Sequence, residues 1–290
     1  MGSIIKTTGN YLSLVKFSHT VFAMPFAMIG FALGVTAKEN PFSYRLLILI
    51  ILCMVFARNA AMGFNRLADR KFDSLNPRTD KREIPSGKIG PKSAAIFVII
   101  NSILFIVTAG FINRLTLILS PVALMVILGY SLTKRITYLC HFILGLGLSL
   151  APIGAYITVT GTFNILPIIY SFIVLTWVSG FDIIYALQDD EFDKKNSLHS
   201  LPSAAGRKKA LTVSVIVHII TFILIVTAGL TGKGNLLYWI GAIIFTGLLI
   251  WQHLLVKPDD LSSVTLAFQT TNGIASILYA LLVIFDLMCY

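Results

Sequence analysis

The 290-residue chain is 56% hydrophobic and only 12% charged, with a mean hydropathy of +0.84; soluble domains carry roughly 25% charged residues, so the composition excludes an ordinary water-soluble globule and places the chain in a bilayer. Its net charge of +10 raises nucleic acid as a partner, but the basic residues sit in connections between apolar stretches, so membrane lipid or a phosphorylated substrate fits better. Cys53, Cys140 and Cys289 are isolated, with no CxxC pair and no His at ligand spacing, which indicates neither a disulfide framework nor a zinc site.

Nine stretches are apolar and long enough to span, at about 20 residues each, and predict an all-α, polytopic membrane protein with one domain over 1–290. The first, 17–37, follows Lys6 and Lys16 and ends Val35-Thr36-Ala37, a pattern that also resembles a cleaved signal peptide. Its length and the spans that follow favour a crossing helix. The second, 44–67, runs into the polar segment 65–93, and spans 94–112 and 115–133 lead to a short turn carrying Lys134 and Arg135. Span 137–160 precedes 163–188, which runs into the second polar segment, 185–209. Spans 208–231, 235–256 and 264–288 complete the set.

Of the 23 Lys and Arg, four (Lys38, Arg45, Arg114, Lys233) fall after spans one, three and seven. The others lie at the N-terminus or beside connections after even-numbered spans. By the positive-inside rule the N-terminus and both polar segments are expected in the cytoplasm and the C-terminus outside, in the inner or plasma membrane if the protein is bacterial.

Each polar segment begins at a helix end and carries residues four apart: Asn65, Asp69 and Asp73 in the first, Tyr185, Asp189 and Asp193 in the second. Such spacing stacks side chains on one helical face. Asp69 aligns with Asp189, Asp73 with Asp193 and Asn76 with Asn196, which suggests a pseudo-repeat of 58–93 and 178–209. Repeated halves would bring the two columns together over a central cavity. Carboxylates gathered at helix C-terminal ends repel each other and oppose the helix dipole, so something positive must lie between them. Oxygen ligands suit Mg²⁺, which takes one or two carboxylates with substrate phosphates and water. Arg66, Arg70, Lys71, Arg78, Lys81 and Arg82 would then hold phosphate oxygens. Asp190 and Glu191 point off the column and are expected to be solvated.

The motif Asn65-x3-Asp69-x3-Asp73, the motif Tyr185-Ala186-Leu187-Gln188-Asp189-x3-Asp193, and the stretches 15–30, 130–145 and 267–282 resemble the UbiA superfamily of intramembrane aromatic prenyltransferases over nearly the whole chain. NRLADRKFDSLNPRTDKREIPSG and FDIIYALQDDEFD look most like the 4-hydroxybenzoate polyprenyltransferase group, which is similar to futalosine-route menaquinone enzymes. Many members carry Asp after the motif Asn, where this chain has Arg66. The resemblance implies a nine-helix bundle, open laterally to lipid and capped by the two Asp-bearing loops. It also implies Mg²⁺-dependent transfer of a polyprenyl group from its diphosphate to an aromatic acid for ubiquinone or menaquinone synthesis. Asn65, Asp69, Asp73, Asp189 and Asp193 would hold Mg²⁺, and the four Asp would serve catalysis.

Lys134 and Arg135 read either as a topology signal or as ligands of the diphosphate or the acceptor's carboxylate. Asp182, two turns before Asp189, is an intramembrane carboxylate and so a functional candidate, either orienting the acceptor beside Arg135 and Tyr185 or taking up a proton. Arg58, seven residues before Asn65, needs an anion at that depth, and the diphosphate or a motif acid would serve. His19 and His141 read as hydrogen-bonded core residues, while His199 is a minor candidate for diphosphate. The alternative to an enzyme is a secondary transporter, which would place acids near mid-membrane in broken helices. A CDP-alcohol phosphotransferase is excluded by the lack of an Asp-Gly-x2-Ala-Arg signature.

Overall fold

With no water in the hydrocarbon layer, each spanning segment has to satisfy its own backbone, and only the helix does this within one segment. The computed structural model describes residues 9–15, 22–37 and 42–289, and among these it is helical with no sheet. The long elements are α1 (Met24–Ala37), α2 (Tyr44–Leu75), α3 (Pro91–Gly110), α4 (Arg114–Thr133), α5 (Cys140–Thr160) and α6 (Ile165–Ala186). A 3₁₀ turn, Leu187–Asp189, leads into the short helices α7 (Asp190–Lys195) and α8 (Leu201–Ala205). They are followed by α9 (Arg207–Thr231), α10 (Leu236–Leu255) and α11 (Asn272–Cys289).

Starts and stops follow local chemistry. Ser43, Asn113 and Asn164 cap α2, α4 and α6 by accepting a hydrogen bond from a backbone N–H of the first turn. Pro91 opens α3, where a missing N–H costs nothing. Gly161 ends α5 in the left-handed conformation.

Among the described residues, eight helical segments are long and apolar enough to cross a membrane, and α1 is a shorter apolar helix of 14 residues. The expected first span, 17–37, thus corresponds to α1 plus residues partly outside the described ones; His19 lies there as well. At 32 residues, α2 is about 48 Å long, well beyond a hydrocarbon layer of about 30 Å. Its last turns must therefore leave that layer, and they carry Asn65, Asp69 and Asp73. The first column rides on helix rather than on a loop.

The most buried of the long helices is α6, which packs against α5 and α9. Trp177 is fully buried against Phe26, Phe181 and Phe245, and its indole N–H donates to Asn272 Oδ1 at 2.9 Å. Close crossing of α1 and α5 requires glycine, since a Cβ on Gly30 would lie 2.0 Å from the Pro152 carbonyl oxygen. Outward residues such as Ile96, Ile103, Val122, Ile219 and Ile243 stay exposed, as expected of side chains that face lipid.

Candidate active site

At one end of the bundle the polar turns of α2 and the segments after α2, α4 and α6 surround a cavity of roughly 290 Å³. Both Asp columns and the deep Arg58 and Asp182 line it: Arg58, Asn65, Arg66, Asp69 and Asp73 from α2, Arg78 and Arg82 beyond it, Lys134 and Arg135 after α4, and Asp182, Tyr185, Asp189 and Asp193. Arg70, Lys71 and Lys81, expected to hold phosphate, are exposed and do not line the cavity. His199 is half-buried but does not line the cavity either, and its backbone N–H donates to the Lys134 carbonyl at 2.6 Å.

The four motif carboxylates each meet one cation. Arg135 reaches Asp69 at 3.0 Å, Arg82 reaches Asp73 at 2.6 Å and Lys134 reaches Asp193 at 2.8 Å. Arg78 grips Asp189 with Nε (3.0 Å to Oδ1) and Nη2 (to Oδ2) and donates through Nη1 to the Tyr185 hydroxyl at 2.8 Å. Planar guanidinium and carboxylate suit such a two-point contact. Asn76 adds a bond to Asp189 Oδ1 at 3.0 Å, Ser200 one to Asp193 Oδ2 at 2.8 Å, and Asn65 one to Asp69 Oδ2 at 3.3 Å. Lys134 pairs with Asp193 and its neighbour Arg135 with Asp69, so two adjacent cations after α4 reach both columns. Burial by itself would lower the Lys134 ammonium, but Asp193 outweighs it and the net shift is upward. In the same way burial opposes the charge on Arg78, whose hydrogen bond to Asp189 turns the net shift upward.

Arg58 and Arg66 differ. Arg66 is buried and Arg58 half-buried against the cavity, the buried Nε of each lacks an acceptor, and neither forms an ion pair with a described residue. Asp73 Oδ2 is likewise buried without a donor. No three His, Cys, Asp or Glu side chains among the described residues form a cage for a metal by themselves. A hard, all-oxygen set that leaves Asp73 Oδ2 free fits Mg²⁺, which completes its shell from waters and substrate phosphates.

One expectation is overturned. Asp190 is not solvated: it is buried and accepts from Arg207 Nε at 2.8 Å and Nη2 at 3.0 Å. The 3₁₀ turn at 187–189 breaks the simple helical register, and α7 points Asp190 toward the start of α9. Glu191 is exposed as expected.

Asn76, Thr79 and His141 also line the cavity. Their signals were faint: Asn76 stood out only through the repeat alignment, and His141 was read as a core histidine. His141 is indeed buried, but its Nδ1 lies 2.7 Å from Asp182 Oδ2.

A second, apolar groove of roughly 210 Å³ shares Arg58, Met62, Tyr130, Leu144 and Leu148 with the polar cavity. Small residues open it, among them Ala57, Ala61, Gly147, Ala151 and Gly154. A charged rim thus continues into a greasy slot, an arrangement that can take an anionic head with a hydrocarbon tail.

Comparison with known proteins gives the same answer. The model of the UbiA prenyltransferase family matches residues 23–279. A 4-hydroxybenzoate octaprenyltransferase of Aliivibrio fischeri (strain MJ11) is 29% identical over 251 residues, 86% of each chain. Among solved structures, the apo form of a UbiA homolog from Aeropyrum pernix K1 superposes with a TM-score of 0.78 at 27% identity, covering 91% of this chain and 95% of that one. A UbiA homolog from Archaeoglobus fulgidus bound to DMAPP and Mg²⁺ shares the fold with a TM-score of 0.74 at 23% identity, covering 97% and 100%.

Proposed function

Since this chain belongs to the UbiA prenyltransferase family, we propose that it moves a polyprenyl group from polyprenyl diphosphate onto an aromatic acid such as 4-hydroxybenzoate, in ubiquinone or menaquinone synthesis. The observation that carries the reading is the meeting of both Asp columns at the mouth of an apolar groove with two arginines whose buried Nε atoms lack an acceptor among the described residues. The Aliivibrio relative is a 4-hydroxybenzoate octaprenyltransferase, and the Archaeoglobus homolog holds DMAPP with Mg²⁺.

In this reading Asp69, Asp73, Asp189 and Asp193, with Asn65 assisting, hold Mg²⁺. When bound, the ion neutralises charge on the departing diphosphate. Arg58 and Arg66 take diphosphate oxygens directly, since neither forms an ion pair among the described residues. Arg78, Arg82 and Lys134 turn part of their hydrogen bonding to phosphate once the head group enters. Fixed cations placed where leaving-group charge grows lower the barrier without reorganisation. The prenyl tail lies in the groove past Ala57 and Gly154. Arg135 meets the acceptor's carboxylate, while Tyr185, stacked on Phe268 at 4.2 Å, walls the ring beside Asp182. Apolar walls keep out water, which would trap the allylic cation.

The N-terminus and both motif segments face the cytoplasm in this account, and segments 58–93 and 178–209 are equivalent halves of a pseudo-repeat. Family membership removes the ground for the carrier alternative. The test is turnover: membranes carrying the protein, supplied with labelled polyprenyl diphosphate, Mg²⁺ and a panel of aromatic acids, should form a prenylated acid. Asp69→Ala and Asp189→Ala should each abolish it. Full turnover in both variants would refute the site assignment, and solute transport without consumption of the donor would favour the carrier.

A further inference from the structure

Resting on the aromatic acceptor proposed above, we infer that His141 is a positioning residue: it holds Asp182 as the base that takes the acceptor's phenolic proton, and ties that base to the segment that fixes Asp193. Asp182 lines the polar cavity with its side chain 21% exposed, and among the described residues His141 is its hydrogen-bond partner. The ring sits at the start of α5, and the crossing with α6 is made close by Gly145, one turn on. A Cβ there would lie 2.5 Å from the Leu175 carbonyl oxygen and from Ser179 Oγ. Ser179 Oγ in turn donates to the His141 carbonyl at 3.3 Å.

The other ring nitrogen fixes the tautomer. The backbone N–H of Leu201 points at His141 Nε2 at 3.3 Å, so Nε2 accepts and the ring proton belongs on Nδ1, from which it is donated to Asp182 Oδ2. One carboxylate oxygen is thereby committed, and the other is left for the cavity. Leu201 belongs to the same short stretch as Ser200, whose hydroxyl donates to Asp193 Oδ2, and Cys140 Sγ donates to the His199 carbonyl at 3.3 Å. His141 therefore stands between the base and the segment that orients a motif carboxylate.

The chemistry balances without a further reactant. The C–O bond of the prenyl diphosphate breaks, its electron pair leaving with diphosphate. Ring π electrons ortho to the hydroxyl form the new C–C bond. As they do, the O–H bond gives its proton to Asp182 and its electron pair to the ring system, so that the first product is a neutral dienone. The dienone then gives its ring proton to the released diphosphate, the C–H electron pair restoring the aromatic ring, while Asp182 returns its proton to the oxygen. A base at the hydroxyl removes the need to build positive charge on the acceptor.

The experiment compares His141→Leu, His141→Asn, Asp182→Asn and the double variant Asp182→Asn/His141→Leu in the same turnover assay. Affinity for polyprenyl diphosphate in Mg²⁺ serves as the control for folding. Asn can present an amide N–H where Nδ1–H stands, so His141→Asn should stay close to wild-type kcat. Losing a hydrogen bond to a charged group should lower kcat of His141→Leu about tenfold to a hundredfold, with KM for the donor unchanged. Because His141 acts through Asp182, the double variant should be no worse than Asp182→Asn alone. Losses that multiply in the double variant, equal loss in His141→Asn and His141→Leu, or a loss confined to donor binding overturns the inference. A wild-type protein that prenylates no aromatic acid instead defeats the functional reading on which it rests.

Discussion

Replacing Arg78 by Met removes the side chain that joins the segment after the first column to the second. Arg78 makes two hydrogen bonds to Asp189 and one to the Tyr185 hydroxyl, and its guanidinium lies 5.3 Å from the Tyr185 ring centre. Hydrogen bonds to charged groups contribute about 1.5–3 kcal/mol each. The Arg78 side chain is 32% exposed and that of Asp189 12%, so solvent screening brings the fork toward the lower end of that range. Deleting all three bonds while Asn76 still donates to Asp189 should cost the site about 2–3 kcal/mol, or roughly 30-fold to 150-fold in kcat/KM. Arg78→Lys keeps the charge but not the planar fork, and should recover only part of the loss. The assay is product formation from labelled polyprenyl diphosphate in solubilised membranes, at donor concentrations well below KM. An Arg78→Met enzyme within about threefold of wild type would show that the joint between the two segments is incidental, and the magnitude argued from the bonds would be wrong.

Three other outcomes follow from particular contacts. A Cβ at Gly154 meets nothing within 4 Å and the residue lines the groove, so Gly154→Leu should reject long prenyl donors while keeping dimethylallyl diphosphate; equal loss with both donors would mean that the groove does not hold the tail. Asp190→Asn weakens the Arg207 pair outside the cavity and should lower thermal stability by about 1 kcal/mol with kcat intact, so a large drop in turnover counts against its structural role. Lys134 has a raised pKa because Asp193 outweighs burial; its stabilising contribution is complete below the ordinary lysine range and fades only as pH rises through the raised value. Turnover should therefore show no alkaline loss due to Lys134 between neutral pH and the ordinary lysine range, and a loss in that interval that Lys134→Arg abolishes would contradict this.

How much could be read from the chain depended on whether a signal was local. Asn65, Asp69 and Asp73 were legible because four-residue spacing on one helix fixes a face whatever surrounds it, and α2 carries that face unbroken. The second column was legible as a cluster but not in its detail, since the 3₁₀ turn at 187–189 leaves no mark in periodicity; hence Asp190 was assigned to solvent. Partners distant in sequence were out of reach: Arg78 with Asp189 and His141 with Asp182 lie 111 and 41 residues apart. Apolar composition marks a span, but does not separate Gly154 in the groove from Ile243 on the outer surface. The crossing helices were visible for the same reason that their functional faces were not, since an all-round apolar helix carries little amphipathic signal.

The central claim, that the two Asp columns act together through Mg²⁺ on one diphosphate, is tested most directly by titrating a non-reactive polyprenyl diphosphate analogue into the purified protein. Binding should require Mg²⁺, vanish with EDTA, and weaken by about a hundredfold or more in both Asp73→Asn and Asp189→Asn, on the scale of losing charged contacts on either side of the ligand. Equal affinity with and without Mg²⁺, or loss in only one of the two variants, would contradict it.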